Sequence, residues 1–410
     1  MRRRVERNTG SFLAAAVLGG AAAVLSGAAA VLSGAATILA VAIVAGGRAS
    51  AAEEIDLPGY LVWPQWMKHK NIPAPGIFAG IEGESRFETN GLGIRGPEFG
   101  SSRKKEYRIL FLGGSATECF YLDQDETWPA IIGATLPATA DGRKIWAGNI
   151  GRSGHNSRDH VMEMRLLVPH LPVDAIVVMM GVNDLGLRLA QDAAHNPDFL
   201  STEENVAYQI RHAFTVRPDD PNQPFYRKGV VGRLLGLDPD VAKRKPHQVV
   251  DNAGMIFQKW RDYRRVGEMI AALPPMEAAL GEYARNAEEI ARRGKEAGIR
   301  VIFVTQPALW RGGLSEKEAG TLWMGGIGDY QEKSGARYYT PEGLGEGLAA
   351  YNRIVLDLCA KSGADCFDLA PLVKQDLSTF YDDCHFNKAG ARSVAAEIVK
   401  FLSSRPPFRK

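Results

Sequence analysis

The chain has 410 residues, 45% hydrophobic and 23% charged, a balance that supports a large core and excludes a mainly disordered chain. Its 49 basic and 47 acidic side chains leave a formal charge of +2, which excludes a general nucleic-acid binder. The excess sits at one end, because residues 52–410 hold 44 basic and 46 acidic side chains and are slightly acidic.

Arg2, Arg3, Arg4 and Arg7 precede residues 11–46, a run of Ala, Val, Leu, Ile and Gly without a single charge. As a helix this run would reach roughly 54 Å, beyond the ~30 Å of a hydrocarbon core. It therefore reads as a transmembrane helix or a signal segment, with its most apolar part around Ala35–Ala45 and a partly low-complexity seven-residue near-repeat over Ala14–Gly34. Positive charge before the span predicts the body outside the cytoplasm. Ala49-Ser50-Ala51 resembles a small-residue cleavage site, in which case the body would be secreted.

Residues 52–105 are Pro/Gly-rich with scattered aromatics and read as a lead-in segment to a domain over 106–405. Within the lead-in, Gly91-Leu92-Gly93-Ile94-Arg95-Gly96 matches G-x-G-x-x-G. It follows only a weakly strand-like piece and is followed at once by Pro97, so it lacks the strand-before, helix-after setting of a dinucleotide site. A glycine turn is the better account.

Short apolar runs then alternate with helical periodicity. Tyr107–Leu112, Lys144–Ile150, Asp174–Met180, Arg300–Thr305 and Asp365–Leu369 read as strands. Ser157–Leu167, Met276–Ala297, Glu342–Lys361 and Lys388–Leu402 read as helices. Strands separated by helices predict an α/β three-layer sandwich around a parallel sheet. Two insertions interrupt the rhythm, at about 185–275 and 306–341. The first carries five prolines within 218–246 and the basic-aromatic piece Lys259–Arg265; the second carries Trp310 and Trp323. Long insertions beyond the carboxyl ends of parallel strands lie where ligands bind, so both are candidate lids, with a solvated charged face as the alternative.

The strand ends carry the chemistry. The first strand runs into Gly113-Gly114-Ser115-Ala116-Thr117, which places a serine at the sheet's carboxyl edge behind two glycines. The second runs into Asn149-Ile150-Gly151-Arg152-Ser153-Gly154-His155-Asn156-Ser157, and the third into Gly181-Val182-Asn183-Asp184, with a side-chain amide donor. Before the last helix stands Tyr381-Asp382-Asp383-Cys384-His385. Asp382 and His385 are three apart, so one turn brings carboxylate and imidazole to the same side, where the carboxylate can fix the tautomer. Nucleophile, donors, and base with its orienter thus arrive in the order that acyl transfer requires. No Walker sequence, His-Glu-x-x-His or G-x-S-x-G is present, and no Cys/His cluster has zinc-ligand spacing, so neither cofactor nor metal is expected.

These four blocks resemble the SGNH/GDSL hydrolase superfamily, whose members contribute Ser, Gly, Asn and an Asp-x-x-His pair on a flavodoxin-like fold. Thr89–Gly96 also resembles a lead-in common in exported members. The resemblance implies that Ser115 is the nucleophile, His385 the base and Asp382 its orienter. It implies oxyanion donors from Ser115, Gly154 and Asn183; Gly154 follows from S-G-x-x-S spacing, and Gly151 is the competitor. Gly114 departs from the family, standing where many members have Asp. The implied activity is serine-dependent hydrolysis of carboxylic esters in an acylated glycan, lipid or small molecule. A cell-envelope O-acyltransferase using the same serine and a non-catalytic binding module are the alternatives. With an ordinary imidazole near 6.5, activity is expected to rise through about pH 6–7.

Two cysteine questions remain at this level. Cys119, one turn beyond Ser115, and Cys384, beside His385, are rival nucleophiles, and Cys359 and Cys366 flank a helix-to-strand connection where an oxidising compartment would permit a disulfide.

Overall fold

A computed structural model describes residues 59–100, 102–215, 247–250 and 253–409. The N-terminal run read as a transmembrane or signal segment, and the Ala49-Ser50-Ala51 site, lie outside the described residues, as do the prolines within 218–246. Among the described residues no helix is long and apolar enough to cross a membrane.

In chain order the strands are β1 (Lys68–Ile72), β2 (Ser85–Glu88), β3 (Glu106–Gly113), β4 (Lys144–Asn149), β5 (Ala175–Met179), β6 (His247–Val250), β7 (Glu268–Ile270), β8 (Arg300–Val304), β9 (Arg337–Tyr339) and β10 (Asp365–Phe367). The helices are α1 (Ser115–Glu118), α2 (Trp128–Thr135), α3 (Ser157–Leu166), α4 (Val182–Gln191), α5 (Glu203–Ala213), α6 (Ala253–Val266), α7 (Glu277–Glu296), α8 (Glu316–Ala319), α9 (Pro341–Ser362) and α10 (Lys388–Ser403).

The main sheet has the order β10-β8-β5-β3-β4, and every pairing in it is parallel. Taking its five strands in chain order gives 2-1-3-4-5, the flavodoxin-like arrangement. β3 and β5 are buried along nearly their whole length, as strands covered on both faces must be, which is why they read as continuous apolar runs. Helices α3, α7 and α9 pack together as one layer, and α2 packs against α10 as the other. The register aligns Gly113 with Met179 and Met179 with Val304, so the segments after β3, β5 and β8 leave the sheet at one level.

The residues before β3 are more structured than a lead-in suggests. β1 pairs antiparallel with β2 and parallel with β6. A strand does precede the G-x-G-x-x-G piece, but no helix follows it: Gly93 has φ +65° and Gly96 φ +151°, the left-handed geometry of a turn. Arg95 from that turn is 3% exposed and donates to the carbonyls of Glu118 (2.7 Å), Cys119 (3.0 Å), Leu122 (2.7 Å) and Arg86 (3.0 Å). Its guanidinium thereby satisfies the carbonyls left over where α1 ends, and burial pulls its pKa down to about 10. Cys359 and Cys366 form a disulfide that joins the end of α9 to β10.

Candidate active site

β3 delivers Ser115 to the carboxyl edge of the sheet, and the turn before α10 delivers His385 and Asp382 to the same place. His385 Nε2 lies 2.6 Å from Ser115 Oγ. On the far side of the ring, Nδ1 lies 2.7 and 2.8 Å from the two oxygens of Asp382. The backbone N–H groups of Cys384 and His385 also donate to Asp382, at 3.2 and 3.0 Å. Serine, imidazole and carboxylate therefore form one continuous hydrogen-bonded line across 270 residues of sequence.

Asp382 is fully buried, and burial alone would raise its pKa. The charge of His385 and hydrogen bonds from His385 and the Trp323 indole outweigh that, so it stays below the usual carboxylate range. Burial likewise pulls His385 down, but the Asp382 charge and hydrogen bond prevail and hold it well above 6.5. A raised His385 becomes neutral only at a higher pH than an ordinary imidazole.

The donors gather around the same point. Ser115, Gly154, Asn183 and His385 line one cavity of about 640 Å³. Ser115 opens α1, so its N–H has no intrahelical acceptor. Gly154 has φ +82° and open space around it; torsion, not crowding, calls for glycine there. The Gly151 N–H is already spent on Asn149 Oδ1 at 2.8 Å, which leaves Gly154 as the free donor of the pair. One hydrogen of the Asn183 amide donates to the His155 carbonyl at 2.7 Å, which aims the group and leaves its second hydrogen available.

Gly114 is the reverse case from Gly154. Its φ of −82° and ψ of −154° suit any residue, but a Cβ there would lie 2.3 Å from Asn183 Nδ2 and 3.1 Å from the His155 carbonyl. The amide occupies the space where a side chain at 114 would begin. Gly114→Ala is expected to displace Asn183 and lower kcat about 10²–10³-fold, the effect of losing one oxyanion donor, with the thermal midpoint nearly unchanged. Steady-state kinetics and melting curves check this; full activity in the variant would show that the amide takes no part.

Neither cysteine rivals Ser115. Both are buried; burial pushes Cys119 up to about 12 and also raises Cys384, so neither supplies a thiolate near neutral pH.

The insertions contribute in a way that local sequence does not reveal. Trp323 Nε1 donates to Asp382 Oδ2 at 3.0 Å. Asp383, also fully buried, accepts from Trp310 Nε1 at 2.8 Å and from the Trp323 and Met324 N–H groups at 2.8 and 3.3 Å. Through these bonds the second insertion braces the Asp-x-x-His turn. In α6, Arg261 and Arg264 are buried rather than solvated, reaching the carbonyls of Ile77, Thr321, Met324 and Tyr339 at 2.5 to 3.1 Å. They pin α6 so that Phe257 and Trp260 face Trp323 as an aromatic wall, with ring centroids 4.8 to 5.4 Å apart.

Residues 111–392, more than half of the chain, match the GDSL-like lipase/acylhydrolase family. The chain belongs to that family. This acylhydrolase is an enzyme acting on ester bonds, built on a parallel sheet with flanking helices, an α/β sandwich. A comparison with curated proteins finds no match to this acylhydrolase. Among solved structures it is similar to LAE5, an alpha/beta hydrolase enzyme from the metagenome of Lake Arreo, Spain, with 12% identity, coverage of 74% of this chain and 97% of that one, and a TM-score of 0.38. It is similar to a GDSL-like lipase from Bacteroides thetaiotaomicron, with 13% identity, 75% and 92% coverage, and a TM-score of 0.35. It is also similar to Axe2, an acetylxylan esterase from Geobacillus stearothermophilus, with 15% identity, 72% and 95% coverage, and a TM-score of 0.38.

Proposed function

We infer that this acylhydrolase cleaves short-chain carboxylic esters of a polar alcohol, a sugar ring in the first place, by a Ser115–His385–Asp382 triad. The observation that carries this reading is the unbroken line from the Ser115 hydroxyl through His385 to Asp382 at 2.6 and 2.7 Å. His385 takes the hydroxyl proton as Ser115 Oγ attacks the ester carbonyl, and Asp382 stabilises the imidazolium that forms. The Ser115 and Gly154 N–H groups and the Asn183 amide receive the oxyanion, each such donor lowering the barrier by about 2.7–4 kcal/mol. The imidazolium then protonates the leaving alcohol. Water, deprotonated by the same ring, releases the acyl group and regenerates the serine.

The cavity supports the substrate class. Phe257, Trp260 and Trp323 line it as an aromatic wall, and Asn156, His212 and Gln331, the last beside Trp260, add polar atoms to the lining. An aromatic face together with hydrogen-bonding groups suits a sugar ring better than a long alkyl chain. The uncharged run over residues 11–46 and the Cys359–Cys366 disulfide both support a catalytic body outside the cytoplasm, tethered by the N-terminal segment or secreted.

p-Nitrophenyl esters of increasing acyl length, offered to the detergent-solubilised full chain, test the reading. Acetyl and propionyl esters are expected to be turned over at least about 10-fold faster than octanoyl or longer ones. Preference for long chains would overturn the substrate class, and no turnover of any ester would overturn the triad. Product analysis with a saccharide acceptor present separates hydrolysis from acyl transfer.

A further inference from the structure

From His155, the residue after Gly154, begins a group of histidines and carboxylates that the reaction above does not use. His155 Nδ1 lies 2.9 Å from one oxygen of Glu163, and His160 Nδ1 2.8 Å from the other. An ionised Glu163 accepts from both rings, so each Nδ1 carries hydrogen and each Nε2 is left as a bare lone pair in the neutral ring. His155 is 2% exposed, and its Nε2 has no hydrogen-bond partner among the described residues. A buried ring nitrogen in that state is costly unless something accepts its lone pair.

Two further groups stand beside it. Asp159, fully buried, lies 2.7 Å from His212 Nδ1 through an oxygen that also accepts from Gln209 Nε2, and its other oxygen accepts the Asn156 N–H at 3.0 Å. One ligand atom each from His155, Asp159 and His212 lie within 4.8 Å of one another. Two imidazoles and a carboxylate are a zinc-type donor set. Glu163 behind His155 is the outer carboxylate that metal-binding histidines commonly have, fixing the tautomer that leaves Nε2 free. His212 is the accessible member, with its side chain 41% exposed. It lines both the reaction cavity and an adjoining cavity of about 270 Å³, which supplies the entry path.

The other groupings do not serve. In the His155–His160–Glu163 set every side chain is buried, so it lacks the exposed member that gives an ion a way in. Asp382, Cys384 and His385 also lie close together, but both His385 nitrogens are committed to Asp382 and Ser115.

We propose that His155 Nε2, Asp159 and His212 form a binding site for one divalent transition metal, zinc the best fit, with a fourth position open toward the cavity. Binding strips His212 Nδ1 of the hydrogen it shares with Asp159; that hydrogen passes to the exposed Nε2 or to solvent. The sequence conceals the set because Asp159 stands four after His155 across a helix start, and His212 arrives from α5 more than fifty residues later. The site also has a consequence for the chemistry, which rests on the donor roles proposed for Gly154 and Asn183. His155 follows Gly154 and its carbonyl aims the Asn183 amide, so a metal on its ring anchors the backbone that presents both donors.

Titrating the metal-free, detergent-solubilised full chain with Co²⁺ tests the site, because low-coordinate Co²⁺ absorbs strongly in the visible. One equivalent is expected to bind with that spectrum and to be displaced by Zn²⁺. His212→Ala, a change at a part-exposed side chain, is expected to weaken Co²⁺ affinity by about 100-fold or more. His385→Ala and Ser115→Ala are expected to bind as the parent does, which separates this site from the triad. Absence of Co²⁺ binding at millimolar concentration, or affinity unchanged by His212→Ala, would overturn the proposal. Loss of Co²⁺ binding in His385→Ala alone would overturn it too, by assigning the ion to the triad. Co²⁺ binding lost in His212→Ala alone, in a chain that hydrolyses no ester, would uphold the metal site while the proposed function fell.

Discussion

Replacing Ser115 with alanine is expected to lower kcat/KM for p-nitrophenyl acetate by about 10⁴- to 10⁶-fold and to abolish covalent labelling by a fluorophosphonate. The size follows from the arrangement: nucleophile and base act as one unit, so removing either leaves only what the oxyanion donors and binding supply. The thermal midpoint is expected to hold, since the hydroxyl faces the cavity and its partner is the 2.6 Å contact with His385 Nε2. Cys119 and Cys384 cannot substitute for it, because burial keeps both thiols protonated. Labelling that persists in Ser115→Ala would place the nucleophile elsewhere.

Asp382→Asn is the second large effect, with kcat expected to fall by about 10⁴-fold. An asparagine has no charge to stabilise the imidazolium, and its amide can donate to Nδ1, which turns the ring to the wrong tautomer. The pH profile should move with it, and the sign can be worked out. A general base works only when neutral, so a raised pKa delays the rise of kcat/KM to higher pH. In the parent, burial pulls His385 down, but the Asp382 charge lifts it well above 6.5, so the rising limb should lie on the alkaline side of an ordinary imidazole's. Without that charge burial prevails and the midpoint should drop below the parent's. The other titratable groups around the ring are Glu118, Tyr381, Asp383 and Cys384. Burial raises all four side-chain pKa values. A variant whose midpoint equals or exceeds the parent's would show that Asp382 does not set the charge on the base.

The parallel sheet and the elements of the triad were legible because their signals are local. β3 and β5 read as strands because residues buried on both faces are apolar without alternation. Ser115, Asn183 and the Asp382–His385 pair stood out because glycines and polar residues follow such strands, or precede the last helix, where loops converge. What escaped local reading depends on contacts between distant segments. Nothing around Trp323 indicates that its N–H serves a carboxylate 59 residues away. The piece holding Arg261 and Arg264 read as part of a candidate lid, with a solvated charged face as the alternative; the carbonyl partners that bury both come from segments that periodicity does not place. Arg95 sat in a motif dismissed for nucleotide binding, and its role at the end of α1 follows only from the folded contacts. Gly114 looked like a departure from a family pattern, and only the fold shows the Asn183 amide against it.

Trp323 has two faces with two duties: its ring forms part of the substrate wall, while its N–H grips the acid that tunes the base. Under the proposed reaction, selectivity and turnover would be tied together at that indole, so reshaping the cavity there is expected to change both. Trp260 carries no such double obligation, since its N–H meets only the Gln331 carbonyl. Natural drift or deliberate engineering toward a new ester has its freest path through α6.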